Sequence, residues 1–375
     1  MHDVRLKVSG RDYGGWKSVR ISRGIEQIAG GFEIRVSEIW PTQDPARDLV
    51  KIKPGDACAL EVDDTTVITG FVDEVRISHD ATSHQVSIAG RDATGDLVDC
   101  SAILAHGTQF NNQTMENIAK ALCKPFGIEV RAETNTGDRL SSFGINHAET
   151  VFSCLQRLAA DRGVLLISDG AGSLVITRAG TERAAPLVLG KNILSAEASL
   201  SFRDRYSLYI VMAQGMGTDD GALPASWVSP KQTVVDETMA ESRSRPLVVI
   251  HDNYNEGAVS LERRAQWEAN VRAGRSMDVR VRVQGWTQGG NAGLWQPNQI
   301  SHVIDEDLRL DNDMLIKGVE FALDERGSIT ELALTDPLAF TLIPMPINKG
   351  NWMSLARAAK PTESGLPKQL GGPPS

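Results

Sequence analysis

Seven histidines (His2, His79, His84, His106, His147, His251 and His302) are the residues of this 375-residue chain best suited to metal binding or proton transfer near neutral pH. They are scattered. Only His79 and His84 fall together, in one expected hairpin loop, where two imidazoles could ligate a metal and where solvated loop histidines are far commoner. The acidic runs Asp305-Glu306-Asp307 and Asp311-Asn312-Asp313 offer oxygens to a calcium ion, but the glycine and closing glutamate of an oxygen-ligand loop are missing. Solvated turns are expected there. With 48 Asp and Glu, pairs such as Asp63-Asp64 or Asp219-Asp220 carry little information, since a glycosidase needs two carboxylates facing across a cleft. Ser153-Cys154 is expected on a buried helix face, without the strained turn that presents a nucleophile. The pairs Gly14-Gly15, Gly30-Gly31 and Gly289-Gly290 lack phosphate-loop spacing. No catalytic constellation emerges, and neither a cofactor nor a metal is expected.

Composition points the same way. The chain is 41% hydrophobic and 23% charged, ordinary globular values, and its length suits two or three domains. A net charge of −9 disfavours free-standing nucleic-acid binding. Cys58, Cys100, Cys123 and Cys154 are far apart, which argues for buried thiols in a reducing compartment over a zinc site or disulfide framework. The N-terminus has no apolar signal region and no stretch is long enough to span a membrane, so synthesis and retention in the cytoplasm, or exit without a signal, are expected.

The elements repeat. Lys53 to Asp92 (KPGDACALEVDDTTVITGFVDEVRISHDATSHQVSIAGRD) reads as a three-stranded meander, and Gln296 to Asp336 (QPNQISHVIDEDLRLDNDMLIKGVEFALDERGSITELALTD) repeats it in outline. Pro54 and Pro297 open the copies, Gly70 and Gly318 are read as equivalent mid-points, and Asp92 and Asp336 close them. The proline-to-glycine and glycine-to-aspartate spacings differ between copies, which insertions at turn tips can absorb.

Around the first meander, alternation at Val4–Val8, Trp16–Ile21 and Phe32–Val36, stopped by Pro41 and Pro45, supplies further strands. This gives about six short strands, a number suited to a small barrel or sandwich. From Asp96 the period becomes helical. Thr114–Cys123 and Ala148–Arg162 are helices with one apolar stripe each, and VLLIS, a turn at 169–172 and LVITR form a hairpin. Strand character resumes over 196–212, 215–245 reads as a long loop, 247–250 as a strand and 257–273 as a helix whose inward residues are Leu261, Ala265 and Trp267. In 277–284 Val279, Val281 and Val283 face one way and Asp278, Arg280 and Arg282 the other. The expected fold is mixed α and β, mainly β. Two similar β-barrel-like modules (1–96 and 189–340) flank a smaller α/β module (97–188), and a Pro/Gly-rich tail (341–375) is expected to be extended or disordered unless a neighbour orders it. Arg280 and Arg282 suit inter-subunit ion pairs or a solvated face. Trp286 and Trp295 bracket TQGGNAGL and suit either a subunit contact or an ordinary core.

The order of these features resembles the baseplate hub protein of Mu-like contractile-tailed phages and, more distantly, the hub part of type VI secretion spike proteins. The residues that carry the match are the opening from Trp16 to Val36, GFVDEV and AGRD, ETVFSCLQRLAADRGVLLISDGAGSLVITR, SRPLVVI, RAQWEANVRAGRS and VQGWTQGGNAGLWQPNQI. It extends to about Pro337. The resemblance implies two β-barrels flanking an α/β part and a homotrimer whose six barrels form a pseudo-sixfold ring. That ring meets the tail tube or other baseplate proteins on one side and a central spike protein on the other, in the virion tail after assembly in the host cytoplasm. Two like modules per chain suit that geometry, since a ring closes a contact that would otherwise propagate. DNA would be a partner only in transit, and an acidic channel would let phosphates slide. The competing reading is a cell-wall hydrolase or glycan-binding tail component, with 97–188 as binder. Its aromatics there are Phe110, Phe126, Phe143 and Phe152, a poor set for stacking sugars. The chain stops without a long β-helical extension, so a separate spike subunit is expected over a fused secretion-system spike.

Overall fold

The computed structural model describes residues 2–38, 52–79, 84–104, 107–180, 182–213, 231–251, 258–289 and 292–340. Pro41, Pro45, His106, Asp219-Asp220, Gly290, part of the long loop (214–230) and the tail 341–375 lie outside the described residues.

The first module contributes β1 (Val4–Val8), β2 (Arg11–Tyr13), β3 (Ser18–Gly24), β4 (Gly31–Glu38), β5 (Ala57–Val62), β6 (Thr65–His79) and β7 (His84–Asp92). Apolar alternation decides their faces: Val4, Leu6 and Val8, then Val19 and Ile21, then Leu60 and Val62 are all buried. Next come α1 (Gly95–Asp99), β8 (Gln109–Gln113), α2 (Met115–Cys123), β9 (Val130–Ala132), β10 (Leu140–Gly144), α3 (Val151–Arg162), β11 (Leu165–Ser168) and β12 (Leu174–Thr177). Thr114 and Thr150 start α2 and α3 by accepting the N–H groups of Asn117 and Ser153, and Gly163, in the left-handed region, ends α3. The two helices bury Ile118, Leu122, Leu155 and Leu158 in a separate core with Leu97, Leu174 and Ile176.

Four short strands follow: β13 (Glu182–Arg183), β14 (Leu187–Val188), β15 (Ile193–Leu200) and β16 (Leu208–Ala213). The remainder is β17 (Lys231–Val235), α4 (Glu237–Ala240), β18 (Pro246–His251), α5 (Ala258–Arg275), β19 (Met277–Gln284), β20 (Gln299–Asp305), β21 (Leu310–Asp324) and β22 (Gly327–Thr335). Both β modules share one 14-stranded sheet, with the path β15-β19-β22-β21-β3-β4-β7-β6-β5-β1-β2 and β20 alongside β21. One hydrophobic core runs through both, from Leu6 and Ile88 to Val281 and Phe321.

Several boundaries differ from the sequence reading. β13 and β14 pair with β20, so 182–188 joins the large sheet instead of the α/β module. The strand expected over 196–212 is two: β15 lies in the large sheet, while β16 sits between β17 and β18 in a sheet of its own. Part of the expected long loop therefore is β17 and α4. This small sheet packs Val211 against Leu261 and Ala265 of α5. Arg205 and Asp236, both fully buried, pin it at 2.5 and 3.0 Å. Trp267 is only half-buried, with Arg264 stacked 4.6 Å from its ring centre.

Candidate functional site

The repeated meander is the feature that can do work, and its register shows how far the repeat extends. Strands β5, β6 and β7 have 6, 15 and 9 residues, and β20, β21 and β22 have 7, 15 and 9. Each 15-residue strand carries a bulge opposite the last strand of its meander, at Asp73 between Val72 and Glu74 and at Lys317 between Ile316 and Gly318, and β6 carries a second at Val67 opposite β5. Aligned on the shared bulges, Pro54 coincides with Pro297 and Asp92 with Asp336. The residue after each proline is left-handed: Gly55 at φ 92° and Asn298 at φ 68°. Its N–H donates to the residue before the bulge, Gly55 to Val72 O at 2.7 Å and Asn298 to Ile316 O at 2.8 Å. At the far end each aspartate accepts the N–H two residues on, Thr94 at 3.0 Å and Leu338 at 2.8 Å. Burial pushes both carboxyls above the usual carboxylate range.

The glycines do not align. Gly70 falls against Met314, and Gly318 against Glu74, which accounts fully for the unequal glycine-to-aspartate spacing and, to within one residue, for the proline-to-glycine spacing. Gly70 is there because of a close approach: a Cβ would meet Arg91 O at 2.1 Å. At Gly318 the nearest atom to a Cβ is the Ala333 methyl at 3.6 Å, ordinary contact.

Extended to the neighbours, the repeat is five strands deep. The register Ile21–Phe32–Gly90–Val72 across β3, β4, β7 and β6 matches Ala198–Val279–Leu334–Ile316 across β15, β19, β22 and β21. The two units meet inside the chain where the tail of β21 leaves β20 and pairs with β3, Gly318 opposite Gly24 through Leu323 opposite Val19. Phe321 and Ile21 face the core there, and Arg20 and Glu320 pair on the outer face at 3.1 Å. Arg23 ties this junction to its surroundings, donating to Gln296 Oε1 at 2.8 Å and Ser168 O at 3.4 Å. Burial lowers its pKa. The α/β unit docks through the turn at Gly170, whose carbonyl accepts Thr69 N–H at 2.8 Å; a Cβ there would lie 2.5 Å from Val67 O.

Other candidates fall elsewhere. Trp286 and Trp295, read as possible subunit contacts, are core residues with 0% and 2% exposure and cannot reach a neighbouring chain. Trp286 Nε1 donates to Ala322 O at 3.1 Å and Ile329 O at 3.2 Å, and His2 stacks on the ring at 5.0 Å. Arg280 and Arg282 lie on the exposed face of β19, where Glu331 on β22 takes both, at 4.0 and 2.9 Å. Their partner is within the chain. His79 and His84 are register partners at the ends of β6 and β7 instead of loop residues. His302 lies between Asp311 and Asp313 at 3.1 and 3.0 Å, and Arg183 reaches Asp313 at 2.7 Å, holding that carboxyl below its usual range. Among the described residues no group of three or more His, Cys, Asp or Glu side chains is arranged so that it could hold a metal ion.

Cys58, Cys123 and Cys154 are buried, and burial raises their thiols to about 12, about 12 and about 11. Cys100 is exposed, against expectation. So is Ser153, whose hydroxyl meets Thr150 at the helix start. One cleft lies between α3 and α5, lined by Phe152, Gln156, Trp267, Arg275 and Phe340, with Glu26 its one carboxylate. It lacks the facing pair that glycoside hydrolysis needs.

Three family models match in succession. Residues 3–92 match the N-terminal domain of Mu phage baseplate assembly protein GpP-like, 94–178 the second domain of baseplate hub protein gp44-like, and 258–343 the fourth domain of Mu phage baseplate assembly protein GpP. Baseplate hub protein gp44 of Escherichia phage Mu is 34% identical over 355 residues, 93% of this chain and 91% of that protein. The 43 kDa tail protein of prophage MuSo2 from Shewanella oneidensis is 34% identical, covers 90% of this chain and 99% of its own, and superposes with a TM-score of 0.79. A type VI secretion system component from E. coli shares the fold at 11% identity, over 91% of this chain and 80% of its own, with a TM-score of 0.56. Sequence and fold agree along nearly the whole length, and the chain belongs to the Mu-like phage baseplate hub family.

Proposed function

We propose that this baseplate hub protein acts as a symmetry adaptor. Three copies close into a pseudo-sixfold ring that joins the tail tube to the central spike and encloses a channel. The observation that carries this reading is the duplication. Proline, left-handed residue, bulge and closing aspartate recur in register, and one chain therefore offers two like units to a sixfold neighbour. Three such chains offer six while keeping the threefold symmetry a spike requires. The family of the relatives supports the setting, since the Mu protein is a baseplate hub and the MuSo2 protein a tail protein. On this reading residues 1–96 and 182–340 supply the two ring modules and 97–180 packs outside them. The role is structural, without turnover, and DNA passes through the ring without being held. The test is the mass of the purified chain by light scattering, alone and with the spike subunit. Three copies per particle are expected, and a particle of any other number with spike bound would refute the ring.

A further inference from the structure

Among the described residues several strands have a neighbour on one side only, and two of these edges are the repeat counterparts of the internal junction. β6 runs on past Ala57, the first residue of β5, so that among the described residues Glu74–His79 pairs with β7 on one side only. The other edge is β15, whose one strand partner among the described residues is β19. They stand seven strand steps apart along the sheet, roughly 33 Å at about 4.8 Å per step. Their counterparts in the repeat are the tail of β21 and the strand β3, and those two are joined to each other inside the chain.

From this we infer that the tail of β6 in one copy pairs antiparallel with β15 of the next copy, in the register of the internal β21–β3 junction. The inference rests on the ring reading above. Carried across the repeat, the junction sets Glu74 opposite Ser201, Val75 opposite Leu200, Arg76 opposite Ser199, Ile77 opposite Ala198, Ser78 opposite Glu197 and His79 opposite Ala196.

The side chains suit this register, which was fixed from backbone pairing alone. Inward positions of the junction hold Val319, Phe321, Val19 and Ile21. Their counterparts are Val75, Ile77, Ala196 and Ala198, with Leu200 completing the row. Ile77 is 48% and Leu200 42% exposed in the single chain, apolar surface that the pairing would cover. Outward positions hold Glu320, Ala322, Arg20 and Ser22 in the junction and Glu74, Arg76, Ser78, Glu197 and Ser199 in the proposed contact. The outer Arg20–Glu320 ion pair of the junction becomes Glu197 and Arg76, with the charges exchanged between strands but still opposite. A one-residue slip would send every apolar side chain to the wrong face. Because the edges are unlike, the contact is head-to-tail: it must close into a ring or grow into a filament.

Disulfide trapping tests the register on the full chain with Cys100→Ser. Ile77→Cys combined with Ala198→Cys should give a ladder of cross-linked dimer and trimer on non-reducing gels. Arg76→Cys combined with Ala198→Cys, which samples the slipped register, should give none. Charge exchange gives a second readout. Arg76→Glu should lose the assembled peak in sizing chromatography, and adding Glu197→Arg should restore it. A trimeric mass with no ladder, or with a ladder only from the slipped pair, overturns this contact and leaves the ring standing. A particle of another number overturns both.

Discussion

At the scale of the residue, buried polar groups do the fixing. Asp92 is 2% exposed, yet it accepts from Gly30 N–H at 2.7 Å and from the Thr94 backbone and hydroxyl. Burial outweighs these bonds and raises its pKa. The sign follows from proton counting. Between the unfolded carboxylate value of about 3.9 and its own higher value, native Asp92 holds more proton than the unfolded chain, so its contribution falls as pH rises. Asp92→Asn removes that titration and leaves an amide N–H facing a backbone donor, at a cost of about 1–3 kcal/mol. The stability lead of the parent chain over Asp92→Asn should shrink as pH rises from about 4 to about 6, read from urea midpoints. A lead that widens over that range would show that the carboxyl is stabilised as an anion. Asp313, held down by Arg183, has the opposite dependence.

At the scale of the element, the two long strands show what a pattern of letters conveys and what it does not. Both meanders, the valine face of β19 and the apolar stripes of α2 and α3 were legible, because alternation and helical periodicity act over a few residues, whereas the start of α3, expected at Ala148, lies at Val151 behind the Thr150 cap. The bulges were not, since an extra residue in one strand leaves no mark on composition. Gly70 was therefore paired with Gly318, although the backbone places it against Met314. The tryptophans of 286 and 295 were ambiguous because burial depends on strands far away in sequence, β21 and β22 among them. The β16–β17–β18 sheet was missed for a related reason: its parallel pair joins 208–213 to 246–251 across the polar segment between them. The edges β6 and β15 could be recognised only once both copies were aligned. The glycine correction has a measurable consequence. Gly70→Ala drives a methyl into β7 and should cost at least about 2 kcal/mol in denaturant unfolding, whereas Gly318→Ala should cost under about 1 kcal/mol. Equal costs would return the two glycines to equivalent places.

At the scale of the molecule, duplication gives one chain two like units, which the proposed ring would use as two of its six positions. The internal junction buries Phe321 against Ile21, and the same geometry repeated between chains needs no new kind of contact. The acidic balance of −9 suits a conduit better than a grip on nucleic acid. An electron cryomicroscopy reconstruction of the assembled hub tests this account most directly. It should show six meanders at one radius, 60° apart, three of their six contacts within chains and three between β6 and β15 of neighbours. Meanders at two different radii, or free β6 and β15 edges in a closed ring, would contradict it.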